Sequence, residues 1–230
     1  PSAADFGDFL TWAVLGTILG GRLGYVLFYA PGYFLDNPLA AFQVWEGGMA
    51  FHGGMLGVAL AIVLFARRRG LSPLALGDLV AGAAPIGLFF GRIANFVNNE
   101  LWGRPSDLPW AMTFPIPDHL EAYIPEVPRH PSQLYEAFLE GVVLFVLLYV
   151  LRRRPGIAAR PGLLTGVFLA GYGTARFLVE FVRQYDLHVG LIAEVFTMGQ
   201  LLSLPMIAAG IALAVWAARR PSAPAHGTAR

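Results

Sequence analysis

The sequence has no cysteine, no lysine and few charges of either sign. The first absence excludes a cysteine nucleophile, a disulfide framework and thiolate metal sites. The second makes every cationic side chain other than histidine a guanidinium, permanently charged and shaped for carboxylate or phosphate. Charged residues are 13% of the 230, and 56% are hydrophobic; soluble domains carry roughly 25% charge. With a mean hydropathy of +0.58, the chain falls in the membrane class. The formal net charge is +1 and the arginines form no basic patch, so nucleic acid is not an expected partner. No secretory signal peptide is visible, and the first residue is Pro1 rather than Met, which implies sequence upstream.

What is abundant is apolar sequence. Six segments approach the ~20 residues that a bilayer core demands, at about Phe9–Tyr29, Ala50–Ala66, Leu74–Val97, Leu134–Leu151, Gly162–Val182 and Ala193–Ala218. Arg67-Arg68-Arg69 closes the second, Arg152-Arg153-Arg154 the fourth and Arg219-Arg220 the sixth. Six alternating spans put these clusters on one face, which the positive-inside rule makes cytoplasmic. The expected fold class is therefore all-α, a polytopic integral membrane helix bundle with both visible termini inside and a small extracytoplasmic cap. Residues 1–220 are expected to form one transmembrane domain, and 221–230 a disordered cytoplasmic tail.

The outer loops carry the irregular sequence. Asn37 followed by Pro38 predicts a helix start, and Phe42 and Trp45 suit an interfacial belt, so a short outer helix is expected over about 37–46. The loop of about 98–133 is rich in proline and apolar residues (Trp102, Trp110, Met112, Phe114, Tyr123), which predicts a packed cap. His130-Pro131-Ser132 fits the start of the fourth span. Glycines at small-xxx-small spacing, Gly16/Gly20/Gly24, Gly53/Gly57, Gly87/Gly91 and Gly162/Gly166, predict close helix approach.

Against this apolar background the ionisable residues stand out, since each is costly at membrane depth and faces a bundle interior or wet cavity by default. Arg22, Arg92 and Arg176 lie about seven, five and six residues before the outer ends of their spans, which at ~1.5 Å per residue sets them roughly 8–11 Å below the outer surface. Arg92, Asn95 and Asn99 share one helix face by spacing; Tyr172, Arg176 and Glu180 share another. Glu180 is placed to neutralise Arg176. His52, in Phe51-His52-Gly53-Gly54, opens the second span at the same outer end. The alternatives are interfacial arginines that merely snorkel and a histidine with a structural role. Taken together, the residues predict a polar pocket open to the outer leaflet, suited to bidentate contact with a phosphate. A phospholipid-handling enzyme fits it, and so does a phospholipid or anion carrier using the same arginines. The five histidines have no metal-ligand spacing, and no Gly-x-Ser-x-Gly elbow is present.

These stretches carry a resemblance. Gly91-Arg92-x-Ala94-Asn95-Phe96-Val97-Asn98-x-Glu100-x-x-Gly103 resembles the signature of the prolipoprotein diacylglyceryl transferase family. Also similar to it are Gly20-Gly21-Arg22-Leu23-Gly24-Tyr25, Gly47-Gly48-Met49-x-Phe51-His52-Gly53-Gly54, Arg129-His130-Pro131-Ser132-Gln133-Leu134-Tyr135-Glu136, Gly171-Tyr172-Gly173-x-x-Arg176 with Glu180 and Arg183-Gln184, and Met198-Gly199-Gln200. The resemblance implies transfer of the diacylglyceryl group of phosphatidylglycerol to the lipobox cysteine of a preprolipoprotein, forming a thioether and releasing glycerol 1-phosphate. It implies a multi-pass protein of the bacterial inner membrane, with its active site toward the periplasmic side and a further helix bearing a functional tyrosine ahead of Pro1. It assigns catalysis to His52, Arg92, Tyr172 and Arg176, and substrate binding to Arg92, Asn95, Glu100 and Gly103, to which Asn98, Arg22 and Glu180 are added. The candidates for the base that takes the thiol proton are His52 and, as competitors or orienting groups, Tyr172 and Glu180. No cofactor or metal is expected; the partners are the two substrates and membrane lipids.

Overall fold

The computed structural model describes residues 3–29, 31–116, 125–154, 156–157, 159–184 and 196–220, with Ala3, Phe51 and His52 described in their backbone only. Among these residues the regular structure is helical: α1 (Ala3–Phe28), α2 (Pro31–Asp36), α3 (Phe51–Arg69), α4 (Pro73–Val97), α5 (Ser132–Arg152), α6 (Leu163–Val179) and α7 (Met198–Arg219). Four of them, α1, α4, α5 and α7, are long and apolar enough to cross a membrane, and α6 is a shorter apolar helix. The six expected apolar segments correspond in position to α1 and α3–α7. Residues 193–195 and the tail of 221–230 lie outside the described residues. The chain divides into two compact units, Pro1–Gly77 and Asp78–Arg230.

In the first unit α1 packs along α3 because glycine faces glycine. A Cβ on Gly16 would lie 2.6 Å from the Gly57 carbonyl oxygen, one on Gly20 would overlap the carbonyl of Gly53, and one on Gly24 would lie 2.9 Å from the Gly53 Cα. Such contacts let backbones meet in a membrane, where apolar burial alone gives no drive. Arg69 at the end of α3 pairs with Asp5 and Asp8 at the start of α1. The expected outer helix over 37–46 is instead two 3₁₀ turns, Pro38–Phe42 and Val44–Glu46. Pro38 does take a first helical position, but the Asn37 side chain caps nothing, its amide reaching back to the Tyr33 carbonyl at 3.3 Å. Gln43, at φ −80° and ψ 66°, then breaks the run before a full α-turn can form.

In the second unit α6 packs against α7 through Gly166 and Gly210. A Cβ on Gly166 would sit 2.5 Å from the Ala214 nitrogen and 2.8 Å from the Gly210 oxygen. The seam therefore pairs Gly166 and Ala170 with Gly210 and Ala214, whereas Gly162 precedes α6 at φ 95°. Asp78 of α4 accepts hydrogen bonds from the Gly162 N–H at 2.8 Å and from the Thr165 N–H and hydroxyl at 2.7 Å each, a carboxylate satisfying the orphan donors of a neighbouring helix. The expectation for Gly87 and Gly91 is not met among the described residues, where a Cβ at either would have nothing within 4 Å. The close approach on α4 falls instead at Phe89, whose Cβ would be 2.7 Å from a Cβ on Gly141 of α5. Around Gly141, α5 is wound as a π-helix over Ala137–Val143, a form that recurs at functional sites.

The segment after α4 is partly packed. Trp102 and Phe114 are buried together with Phe96 and Ile116 against them, while Trp110 and Met112 are exposed and Tyr123 is outside the described residues. Residues 103–104 are held on two sides: the Gly103 N–H donates to the His130 carbonyl at 2.9 Å and the Arg104 N–H to the Val182 carbonyl at 2.8 Å. Arg129 is almost fully buried and donates to the carbonyls of Gly103 and Pro125 and to the Gln184 amide oxygen. Burial pushes its guanidinium below its ordinary pKa.

Candidate active site

The site of the second unit is built from three helices and the turn after α6. Arg92 comes from α4, Glu136 and Glu140 from α5, Tyr172 and Arg176 from α6, and Glu180 and Arg183 from the residues that follow it. The 89/141 contact brings α5 beside α4 one helical turn before Arg92, and Gly171 gives α5 the same access to α6, where a Cβ would meet Leu144 at 2.7 Å. Glu136 and Glu140 sit a turn apart and reach inward with no exposed surface.

The charges form one connected network. Arg92 binds the Glu140 Oε2 through Nε and Nη2, each at 3.0 Å, and the Glu136 Oε2 through Nη1 at 3.2 Å. Arg176 pairs with Glu136 and with Glu180. Arg183 donates to both Glu136 oxygens at 3.0 and 3.3 Å and lies 3.7 Å from the Glu180 Oε1. Glu136 is thus the pivot that all three arginines share. Burying a carboxylate alone would cost several kcal/mol; here each has at least one guanidinium against it. The burial is lopsided: the Glu136 and Glu140 side chains are 0% exposed, while those of Arg92 and Arg176 are 15% and 18% exposed. The carboxylates form the back of the site and the guanidinium groups its accessible edge. Tyr172 is buried and stacks on Phe168 with ring centroids 6.0 Å apart.

Beyond α4 the chain makes a strained turn. Asn99 at φ 54° and Leu101 at φ 59° are left-handed, which costs roughly 1–2 kcal/mol per residue outside glycine. The start of α5 holds the turn: the Gln133 amide donates to the Glu100 carbonyl at 2.7 Å and the Ser132 hydroxyl to the Leu101 carbonyl at 3.1 Å. The exposed Glu100 side chain accepts from the Asn95 amide at 2.8 Å and the Asn98 amide at 3.4 Å, both at Oε1. The expected shared face of Arg92, Asn95 and Asn99 is corrected at its last member, because α4 ends at Val97 and the Asn99 amide turns back to the Val97 carbonyl. Gly103 has a packing reason to be glycine, since a Cβ there would lie 2.6 Å from the His130 Cβ, the His130 oxygen and the Val182 oxygen.

The predicted residues therefore separate. Arg92, Tyr172, Arg176 and Glu180 meet in one cluster; Asn95, Asn98 and Glu100 form a second hydrogen-bonded group at the end of α4. Arg22 belongs to the first unit and is occupied by the segment between α2 and α3. It donates to the carbonyls of Ala40 at 2.5 Å, Ala41 at 2.8 Å, Gly47 at 2.6 Å and Gly48 at 3.1 Å, with Phe34 and Tyr25 flanking its guanidinium. His52 lies in the first turn of α3, and its side chain is outside the described residues. Sequence reasoning missed Glu136, Glu140 and Arg183 as members of the cluster. For Glu140 a signal was present: a carboxylate within a span, the same anomaly that singled out Arg92. Among the described residues no group of three or more histidine and carboxylate side chains is arranged for a metal ion.

A model of the prolipoprotein diacylglyceryl transferase family matches residues 1–216. The chain belongs to the prolipoprotein diacylglyceryl transferase family. The matched range includes every residue of both groups. Its relatives include the phosphatidylglycerol–prolipoprotein diacylglyceryl transferases of Azospirillum brasilense, 59% identical over 97% of this chain and 81% of the relative, and Methylocella silvestris, 55% identical over 98% and 80%. That of Rhodospirillum centenum is 54% identical over 99% of this chain and 82% of its own length.

Proposed function

We propose that the chain transfers the diacylglyceryl group of phosphatidylglycerol to the lipobox cysteine thiol of a preprolipoprotein, and that the Arg92–Arg176 edge of the cluster is where the lipid phosphate binds. It is an enzyme of the first step of bacterial lipoprotein maturation. The observation that carries the phosphate assignment is the lopsided burial: two partly exposed guanidinium groups backed by fully buried carboxylates. A planar guanidinium presents paired N–H groups that match phosphate oxygens.

In the reaction the thiol loses its proton to a base, and the thiolate attacks the glyceryl carbon that carries the phosphate ester. A C–S bond forms as the C–O bond breaks, and the electron pair stays on the oxygen of departing glycerol 1-phosphate. Charge builds on that phosphate, so donors fixed beside it lower the barrier. Arg92 and Arg176 fill this role, with Tyr172 beside them. The base for the thiol, whose ordinary pKa is about 8.5, is assigned to His52 on the strength of its motif. Asn95, Asn98 and Glu100 form a polar rim to the same substrate region, which Gly103 helps to shape. Arg22 is assigned to substrate binding on the strength of its motif alone. The protein spans the bacterial inner membrane six times within this chain, with visible termini cytoplasmic, residues 98–133 as an outer cap and the site toward the periplasmic side.

The test is Arg92→Ala in purified protein supplied with labelled phosphatidylglycerol and a lipobox peptide. Transfer is expected to fall by at least about 10²-fold, the loss seen when a donor to a developing oxyanion is removed, with membrane insertion intact. Near wild-type transfer by the variant would sink the phosphate-clamp reading. Glycerol phosphate release that requires the peptide separates transfer from lipid carriage.

A further inference from the structure

The cluster joins three guanidinium and three carboxylate groups, so the six described side chains sum to no formal charge. An anionic lipid gains nothing from a net field there. A phosphate that takes the paired Nε and Nη2 groups of Arg92 takes them from Glu140, which already holds them. The three carboxylates are not equally placed to give way. Glu136 accepts from Arg92, Arg176 and Arg183, and Glu180 from Arg176 with Arg183 beside it. Glu140 touches Arg92 alone, through Oε2, while its Oε1 is buried with no partner among the described residues. The charged and titratable groups that bear on it are Arg92 from α4, Glu136 from its own helix, and Tyr172 and Arg176 from α6.

We propose that Glu140 is a positioning residue that holds Arg92 while the site is empty, then yields Arg92 to the lipid phosphate and takes up a proton as it does so. The inference rests on the phosphate-clamp reading above. A phosphodiester brings one negative charge into a network that was balanced without it. Displaced from Arg92, an ionised Glu140 would be a fully buried carboxylate facing a new anion, an arrangement that desolvation and like charge both oppose. One proton restores the balance. It also converts Glu140 from acceptor to O–H donor, able to bond the phosphate that replaced it. The unpartnered Oε1 is the atom available for that proton.

The experiment titrates glycerophosphoglycerol, the diester headgroup, into the full chain in phosphatidylcholine nanodiscs by calorimetry. Two buffers of different ionisation enthalpy count the protons exchanged. Near pH 8 the wild type is expected to take up close to one proton per diester and progressively less toward pH 6, its affinity falling by up to about tenfold per unit as the pH rises. Glu140→Gln is expected to bind with no proton uptake and to be tighter than the wild type at the upper end of the range, whereas Glu140→Asp keeps the uptake. Wild-type binding without proton exchange overturns the proposal, as does uptake that persists in Glu140→Gln, or loss of binding in a folded Glu140→Gln. Should Glu140→Gln fail to fold, the wild-type count and Glu140→Asp decide. Arg92→Ala separates the two readings. If it binds as the wild type does, the phosphate clamp itself is wrong; if it loses binding while the wild type exchanges no proton, only the role of Glu140 falls.

Discussion

Replacing Glu136 by alanine removes the one carboxylate that Arg92, Arg176 and Arg183 share. The side chain has no exposed surface, so water does not replace it, and three guanidinium groups are left against two carboxylates. Breaking a buried pair by deleting one partner costs about 3–5 kcal/mol, because the remaining charge stays desolvated. For a chain of this length each kcal/mol shifts the melting temperature by about 2–4 °C, so the expected loss is about 6–20 °C in detergent. Activity should fall further than stability. Arg92 and Arg176 lose their common reference point, and displacement of reacting groups by about 1 Å costs on the order of 10²-fold. The assay is paired: thermal unfolding of purified protein, and transfer of labelled diacylglycerol to a lipobox peptide below the melting point. Glu136→Gln, which keeps an acceptor oxygen, should recover part of both. A Glu136→Ala protein that melts within about 2 °C of wild type and transfers at the wild-type rate would refute the pivot role.

Other substitutions test individual joints. A Cβ on Gly199 would lie 2.5 Å from the Glu180 Oε1, so Gly199→Ala should push Glu180 off Arg176, lowering transfer by about tenfold, as loss of one charge-assisted contact would, with helix content unchanged by circular dichroism. Gly103→Ala forces apart the 103/130/182 junction and should cost about 1–3 kcal/mol, read as a lower melting temperature and faster proteolysis of the segment after α4. Asp78→Ala removes the acceptor for Gly162 and Thr165 and should cost about 1–2 kcal/mol, as a lost helix cap does, while specific activity of the folded protein stays unchanged.

Much of this protein could be read without coordinates. Apolar length located the helices α1 and α3–α7, of which four are long and apolar enough to cross a membrane, because a bilayer fixes how long an apolar helix must be. Close packing at the glycine faces of α1 and α3 was legible in their four-residue spacing, and the structure sets the two faces against each other. The polar stretch Gly91–Gly103 stood out because polar residues are scarce around it. The same reasoning failed for Gly87 and Gly91, where spacing shows which face is small but not which neighbour meets it. It also failed for 37–46, where five residues and a proline close only 3₁₀ turns.

Tertiary structure decided which charges pair between helices. Arg92 and Glu140 are 48 residues apart, and Arg183 and Glu136 are 47 apart. Their contact depends on α5 lying against α4 at Gly141 and against α6 at Gly171. It likewise separated two arginines that look alike in sequence. Arg92 enters a shared ion network with its edge accessible, while Arg22 is consumed by four carbonyls of its own loop. A helical period tells which way a guanidinium leaves its helix; only the neighbouring backbone determines whether its N–H groups remain for a substrate.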